Sequence, residues 1–163
     1  MTTGTTPLTI LLAGLPGSGN TLARQHCRRS GCVAHVDHGK TAGEFFRWVD
    51  RSDGVIVPWR LDQEARRASA MRRGGGFSLE EEYRFQWSKQ VSSITKPIVW
   101  VCFEDILETN GAALDKAMRS IGIEPAEWPR DKHSTSIANG RVLSEEERSE
   151  YRARMIAQGI KNE

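Results

Sequence analysis

Long hydrophobic runs are missing from this chain. The longest, around Leu8 to Leu15, falls far short of the roughly 20 residues a membrane span requires, so no transmembrane helix and no membrane partner are expected. Met1 to Pro7 shows Thr and Gly where a secretory leader would carry basic residues and then an apolar stretch, so export is not expected either. Cysteine is scarce. Cys27, Cys32 and Cys102 are odd in number and lack the close pairing of zinc or redox sites, which predicts free thiols in a cytoplasmic compartment and no metal centre. Internal repeats and low-complexity tracts are absent. Charge of one sign is also in short supply: the net charge of +2 argues against a general nucleic-acid binder.

What is present describes a globular protein. With 163 residues the chain is expected to form a single domain over 1–163, and this length suffices to bury about 70% of the unfolded surface. Apolar residues make up 38% and charged residues 27%, an ordinary balance for a folded domain. The charges are unevenly made and unevenly placed. Arg supplies 17 of the 23 basic side chains, and residues 1–73 carry a balance of +5 against −3 for residues 74–163. Arginine grips phosphate and sulfate through a planar fork of donors, so an Arg-rich front half is compatible with an anion site there. Codon bias and solvated helix faces explain the same excess until a motif is found.

Residues 1–7 are expected as a flexible tail, followed by Leu8 to Ala13, a continuous apolar run ended by glycine and read as a strand buried on both faces. Asn20 to Arg29 reads as a helix broken by Ser30-Gly31, and Cys32 to Val36 as a second strand. Glu44 to Arg51 should be helical, Val55 to Val57 a third strand closed by Pro58, and Leu61 to Arg73 a helix ended by three glycines. A capping box at Ser78 predicts a helix to about Ser92, and Ile98 to Phe103 a fourth strand. Helices over Gly111–Ile121 and Ser144–Gln158 complete the pattern, with 124–142 as an ordered loop or lid. Strands alternating with helices predict an α/β fold in three layers, with a central, mainly parallel sheet of about four to five strands.

The first strand runs directly into Gly14-Leu15-Pro16-Gly17-Ser18-Gly19-Asn20-Thr21 and then a helix. A glycine-rich loop in that context presents backbone N–H groups and a helix N-terminus to a phosphate. The spacing matches the Walker A pattern of a P-loop except that Asn20 stands in place of the lysine, and an amide cannot supply that point charge to a nucleoside triphosphate. A second match, Ala34 to Thr41, resembles the first loop of translational GTPases. The residues before it, Arg28 to Val33, are too polar for the strand such a loop must follow, and no Asn-Lys-x-Asp motif exists, so this match is read as coincidence.

The first loop resembles another branch of the P-loop superfamily, the sulfotransferases that use 3′-phosphoadenosine 5′-phosphosulfate (PAPS). Their loop is of the type P-[KR]-S-G-[TN]-T, and Pro16 to Thr21 is similar at five of six positions, with Gly17 in place of the basic residue. Val55 to Val57 followed by Arg60 and Ser69 resembles the family's 3′-phosphate-binding strand and helix. Phe103 to Leu107, then Ala113-Leu114 and Ile121 to Ile123, resembles its Tyr-Glu-Asp-Leu-Leu segment and the short helix after it. Pro129 to Arg141 with Leu143 to Glu147 resembles its late basic loop and final helix.

The resemblance implies a P-loop nucleotide-binding domain that takes PAPS, or its product 3′-phosphoadenosine 5′-phosphate (PAP), and transfers a sulfuryl group to a hydroxyl or amine acceptor. Pro16, Gly17, Ser18, Gly19, Asn20 and Thr21 would hold the 5′ side of the nucleotide, and Arg60 and Ser69 the 3′-phosphate. For the catalytic base the choice is His38, then Asp37, since both follow the second strand at the loop's edge of the sheet and histidine titrates near neutrality. Lys40 or Arg24 would replace the loop cation. Arg66 and Arg67 are read as a solvated helix face, Lys132 and His133 as nucleotide contacts, and Glu104-Asp105 as structural, orienting backbone or an arginine. Two alternatives stand beside this: a small kinase using ATP with Mg, where Thr21 and Asp37 or Asp105 would hold the metal, and a non-catalytic nucleotide-binding module.

Overall fold

Four short apolar runs become four parallel strands, joined by helices on both faces. The computed structural model describes residues 4–37, 42–72, 94–128, 144–146, 149–150 and 153. Its strands are β1 (Thr9–Leu12), β2 (Val33–Val36), β3 (Gly54–Trp59) and β4 (Ile98–Cys102), and its helices are α1 (Asn20–Arg29), α2 (Ala42–Asp50), α3 (Gln63–Arg72), α4 (Phe103–Glu108) and α5 (Ala112–Ser120). The strand order is β2-β1-β3-β4, with every pairing parallel. Among the described residues no helix is long and apolar enough to cross a membrane. The helix expected over 78–92, the lid residues 129–142 and half of the second capping box, Glu147, lie outside the described residues.

Alternation along each strand sends neighbouring side chains to opposite faces. Ile10, Leu12, Ile56, Val99 and Val101 meet Ala23 and Cys27 of α1, Ile106 of α4 and Leu114, Ala117 and Met118 of α5. On the other face Leu11, Ala13, Val55 and Val57 meet Phe45 and Val49 of α2. Strands covered on both faces read as continuous apolar runs, which is why these were legible in the sequence. All six residues of β3 are buried.

Most boundaries shift from expectation by a residue or two, α3 among them, which starts at Gln63 rather than Leu61, and two further shifts bear on the site. The third strand does not close at Pro58 but runs on to Trp59, pairing Pro58 with Val101 and Trp59 with Cys102. The proline is tolerated because its missing donor faces β1. There the Ala13 N–H donates to the Ile56 oxygen at 2.9 Å, and the next rung of the ladder would need a donor from residue 58. The fourth strand stops at Cys102, one residue early, and Phe103 opens α4. The carboxylates of Glu104 and Asp105 in the first turn of that helix favour a start there.

The three cysteines are free thiols, as expected. Burial pushes the Cys27 thiol up to about 12 and raises those of Cys32 and Cys102, which favours the neutral thiol at all three; Cys27 and Cys102 are buried packing groups.

Away from the loop, His26 pins α1 to α5. Its fully buried ring places Nε2 2.7 Å from Asp115 Oδ1, while Nδ1 accepts from Arg29 Nη2 at 3.2 Å and the ring meets Trp128 edge-on at 4.7 Å. Burial holds the His26 pKa below the ordinary histidine value despite Asp115. The folded state therefore binds protons less readily than the unfolded chain. The stability His26 contributes is complete above the unfolded value of about 6.5 and is lost as pH falls through the lowered one. Acidification from about pH 7 to pH 5 should lower the melting temperature, and His26→Gln should melt lower at pH 7 but with a flatter pH profile. Equal slopes in the two proteins, followed by circular dichroism, would contradict this.

Candidate functional site

β1 sits between β2 and β3, and its connection to β2 carries α1 on one face while the β2-to-β3 connection carries α2 on the other. The carboxyl ends of β1 and β3 therefore lie at a topological switch point, where open α/β sheets form their ligand crevices. The Gly14–Asn20 loop leaves the end of β1 there, and Arg60 leaves the end of β3.

The loop is tied to itself by Asn20. Its Oδ1 accepts the Gly14 N–H at 2.9 Å and its Nδ2 donates to the Gly14 oxygen at 2.7 Å. The side chain standing in place of the Walker lysine is thus committed to the loop's own backbone. What Asn20 can offer a ligand is its N–H. Gly14 must be glycine, because a Cβ there would meet the Pro58 carbonyl and Asn20 Oδ1.

Gly17 is constrained from another direction. It has φ +81, and a Cβ would run into the carbonyl oxygen of Arg66 and lie 3.3 Å from the Ala70 nitrogen. The basic residue of the sulfotransferase-type loop has no room here, since the backbone of α3 occupies the space its side chain would leave through. Cations reach the loop from β3 and α3 instead. Arg60, 8% exposed, donates from Nη1 to the Gly17 oxygen at 3.4 Å, lies 4.7 Å over the Phe103 ring and has Nε 3.8 Å from Glu104 Oε1. Arg66, 1% exposed, donates from Nη1 to the Pro16 oxygen at 3.2 Å.

Arg66 corrects the expectation of a solvated face, which holds for its neighbour Arg67, an exposed residue. The signal was in the sequence. Asp62, Ala65, Arg66, Ser69 and Ala70 follow helical spacing and turn inward, whereas Glu64, Arg67, Ala68 and Met71 are exposed. An inward face of small residues and one arginine suits a polar loop rather than an apolar core.

The remaining candidates divide. Ser18 is buried at 1% exposure, its N–H donating to the Leu15 oxygen at 3.0 Å, and its hydroxyl makes no hydrogen bond among the described residues. Gly19 has φ +99, caps α1 and packs on the Phe103 ring. Thr21 is half-buried in the first turn of α1, and Ser69 is half-buried in α3 beside Ala70. Asp37 is buried at the end of β2, its N–H on the Leu12 oxygen at 2.9 Å. His38 and Lys40, like Lys132 and His133, lie outside the described residues. Arg24 is half-buried one turn beyond Asn20, with no hydrogen-bond partner for its Nε among the described residues. The structure thus joins Pro16 to Asn20 with Arg60, and adds Arg66 and Phe103. The GTPase-like segment is no loop at its start, because Ala34 to Val36 are ladder residues of β2.

Glu104 plays the structural part expected of it. Its carboxylate accepts the Leu61 N–H at 2.9 Å and the Asp62 N–H at 3.0 Å, and the Cys102 thiol lies 3.3 Å away. Burial first, and then this carboxylate, raise the thiol pKa, so Cys102 is the donor. Asp62 in turn caps α3, accepting the Ala65 N–H at 3.0 Å. Glu104→Gln keeps the shape but sets an NH₂ against one backbone donor, and should cost about 1–3 kcal/mol in urea unfolding with an unchanged m-value. Wild-type stability in that variant would show that the carboxylate does not hold the turn. No protein-family model, curated protein or solved structure matches the chain, so what the site does has to be derived from its own groups.

Proposed function

We propose that this chain binds a 3′-phosphorylated adenine nucleotide of the PAPS type and transfers its sulfuryl group to a hydroxyl or amine acceptor in the cytoplasm. The observation that carries this reading is a set of unused donors around one turn. The N–H groups of Gly17, Gly19 and Asn20 and the Ser18 hydroxyl have no hydrogen-bond partner among the described residues. They surround the N-terminus of a ten-residue helix that has no acidic residue in its first turn and no side-chain cap. Such a terminus favours a bound oxyanion through its dipole and its unpaired amides.

In this reading the loop and Thr21 receive the phosphosulfate, and Arg60 with Ser69 takes the 3′-phosphate. A base, His38 or Asp37, removes the acceptor proton as the acceptor oxygen or nitrogen attacks sulfur. The bond from sulfur to the bridging phosphate oxygen breaks, and the bisphosphate leaves with that electron pair. Lys40 supplies positive charge to the transferring group. The closed space at Gly17 favours a second reading, a nucleotide-binding module without transfer chemistry. The kinase reading with ATP and Mg is weakened by Asn20, whose side chain is spent on Gly14.

A ligand that binds only the folded chain adds about 2.7 kcal/mol at 100 times its dissociation constant. PAP should therefore raise the melting temperature and ATP with magnesium should not; the reverse pattern supports the kinase, and no shift from either removes the nucleotide assignment. Labelled-sulfate transfer to a panel of acceptors separates enzyme from module. Arg60→Ala should weaken PAP on the order of tenfold more than it weakens adenosine 5′-phosphosulfate, which lacks the 3′-phosphate and loses only the cover that Arg60 gives the Gly17 oxygen. Equal losses for both nucleotides would refute the role given to Arg60.

A further inference from the structure

One residue of α3 holds two consecutive residues of the loop. The Arg66 guanidinium donates to the Pro16 oxygen at 3.2 Å, and the Arg66 carbonyl closes on the position a Gly17 side chain would need. A trans peptide unit carries its C=O and N–H on opposite sides. Fixing the Pro16 oxygen against α3 therefore turns the Gly17 N–H away from α3, and that N–H has no hydrogen-bond partner among the described residues. Carbonyl oxygens facing a bound anion would repel it. Here the Pro16 and Gly17 oxygens are both covered by guanidinium groups, the second by Arg60 at 3.4 Å. A loop without its own cation is thereby left presenting donors.

We infer that Arg66 is a positioning residue of the proposed site, one that takes up the Pro16 carbonyl so that the Gly17 N–H faces the tetrahedral oxyanion on the 5′ side of the nucleotide. The assignment rests on the loop binding an anion. It gives Arg66 a part distinct from that of Arg60, which serves the 3′-phosphate, and it needs no contact between the Arg66 guanidinium and the ligand. Lysine in its place would keep the charge but lose the planar fork that holds a carbonyl from beneath a loop.

The test uses the whole ¹⁵N-labelled chain titrated separately with sodium pyrophosphate and with PAP. In the wild type both probes should move the Gly17 amide resonance together with that of Gly19. Arg66→Lys, with native circular dichroism, should bind both probes on the order of tenfold more weakly, with the Gly17 response reduced at saturation. Wild-type affinity in that variant overturns the assignment, and so does a loss confined to PAP, which would place Arg66 on the 3′-phosphate. A wild-type Gly17 resonance that stays still while those of Gly19 and Asn20 move overturns it without any variant. If neither probe moves any loop resonance in the wild type, the anion site itself fails and the assignment with it, a result seen before a substitution is made.

Discussion

The carboxyl edge of the sheet depends on how the chain turns from β3 into α3, and a single carboxylate sets that turn. Glu104 reaches from the start of α4 to accept two successive N–H groups, those of Leu61 and Asp62. With both amides held, Asp62 is placed to cap α3, and α3 starts at Gln63 on a fixed line. That line brings Arg66 and Ala70 onto the glycine loop, and the same carboxylate stands beside Arg60. Loop, arginines and helix are parts of one arrangement fastened from the start of α4.

Two guanidinium groups buried at such an edge carry a desolvation cost that close pairing must offset. Glu104 and the carbonyl oxygens of Pro16 and Gly17 supply part of that offset, and the Phe103 ring stacked on Arg60 supplies more. An apolar packing of the same volume is often neutral or more stable, so the buried guanidinium groups are not explained by stability alone. The arrangement concentrates positive charge around loop donors that have no hydrogen-bond partner among the described residues.

Much of the architecture was legible because strands buried on both faces leave continuous apolar runs, as Leu8 to Ala13 and Ile98 to Cys102 do. The glycine loop and Arg60 were legible from their position just past such runs. Arg66 was legible only from spacing: composition marks an Arg-rich helix as solvated, and it is the interval linking Asp62, Ala65, Ser69 and Ala70 that shows which arginine turns inward. In sequence Phe103 reads as the last residue of a strand, because apolar continuity outweighs the two acids that follow it, whereas it opens α4. The part played by Asn20 required three-dimensional information: the substitution in the Walker pattern is visible in sequence, whereas the closure of its amide on Gly14 is not.

Pro58 has a consequence of its own. By withholding one donor on the β1 side it acts as a ruler, ending the β1–β3 ladder at the rung from Ala13 to Ile56 whatever residues follow in the loop. Zippering of the two strands cannot creep forward and draw Gly14 into the sheet. The point at which the glycine loop leaves the sheet is thereby set by a residue of β3 rather than by the loop itself.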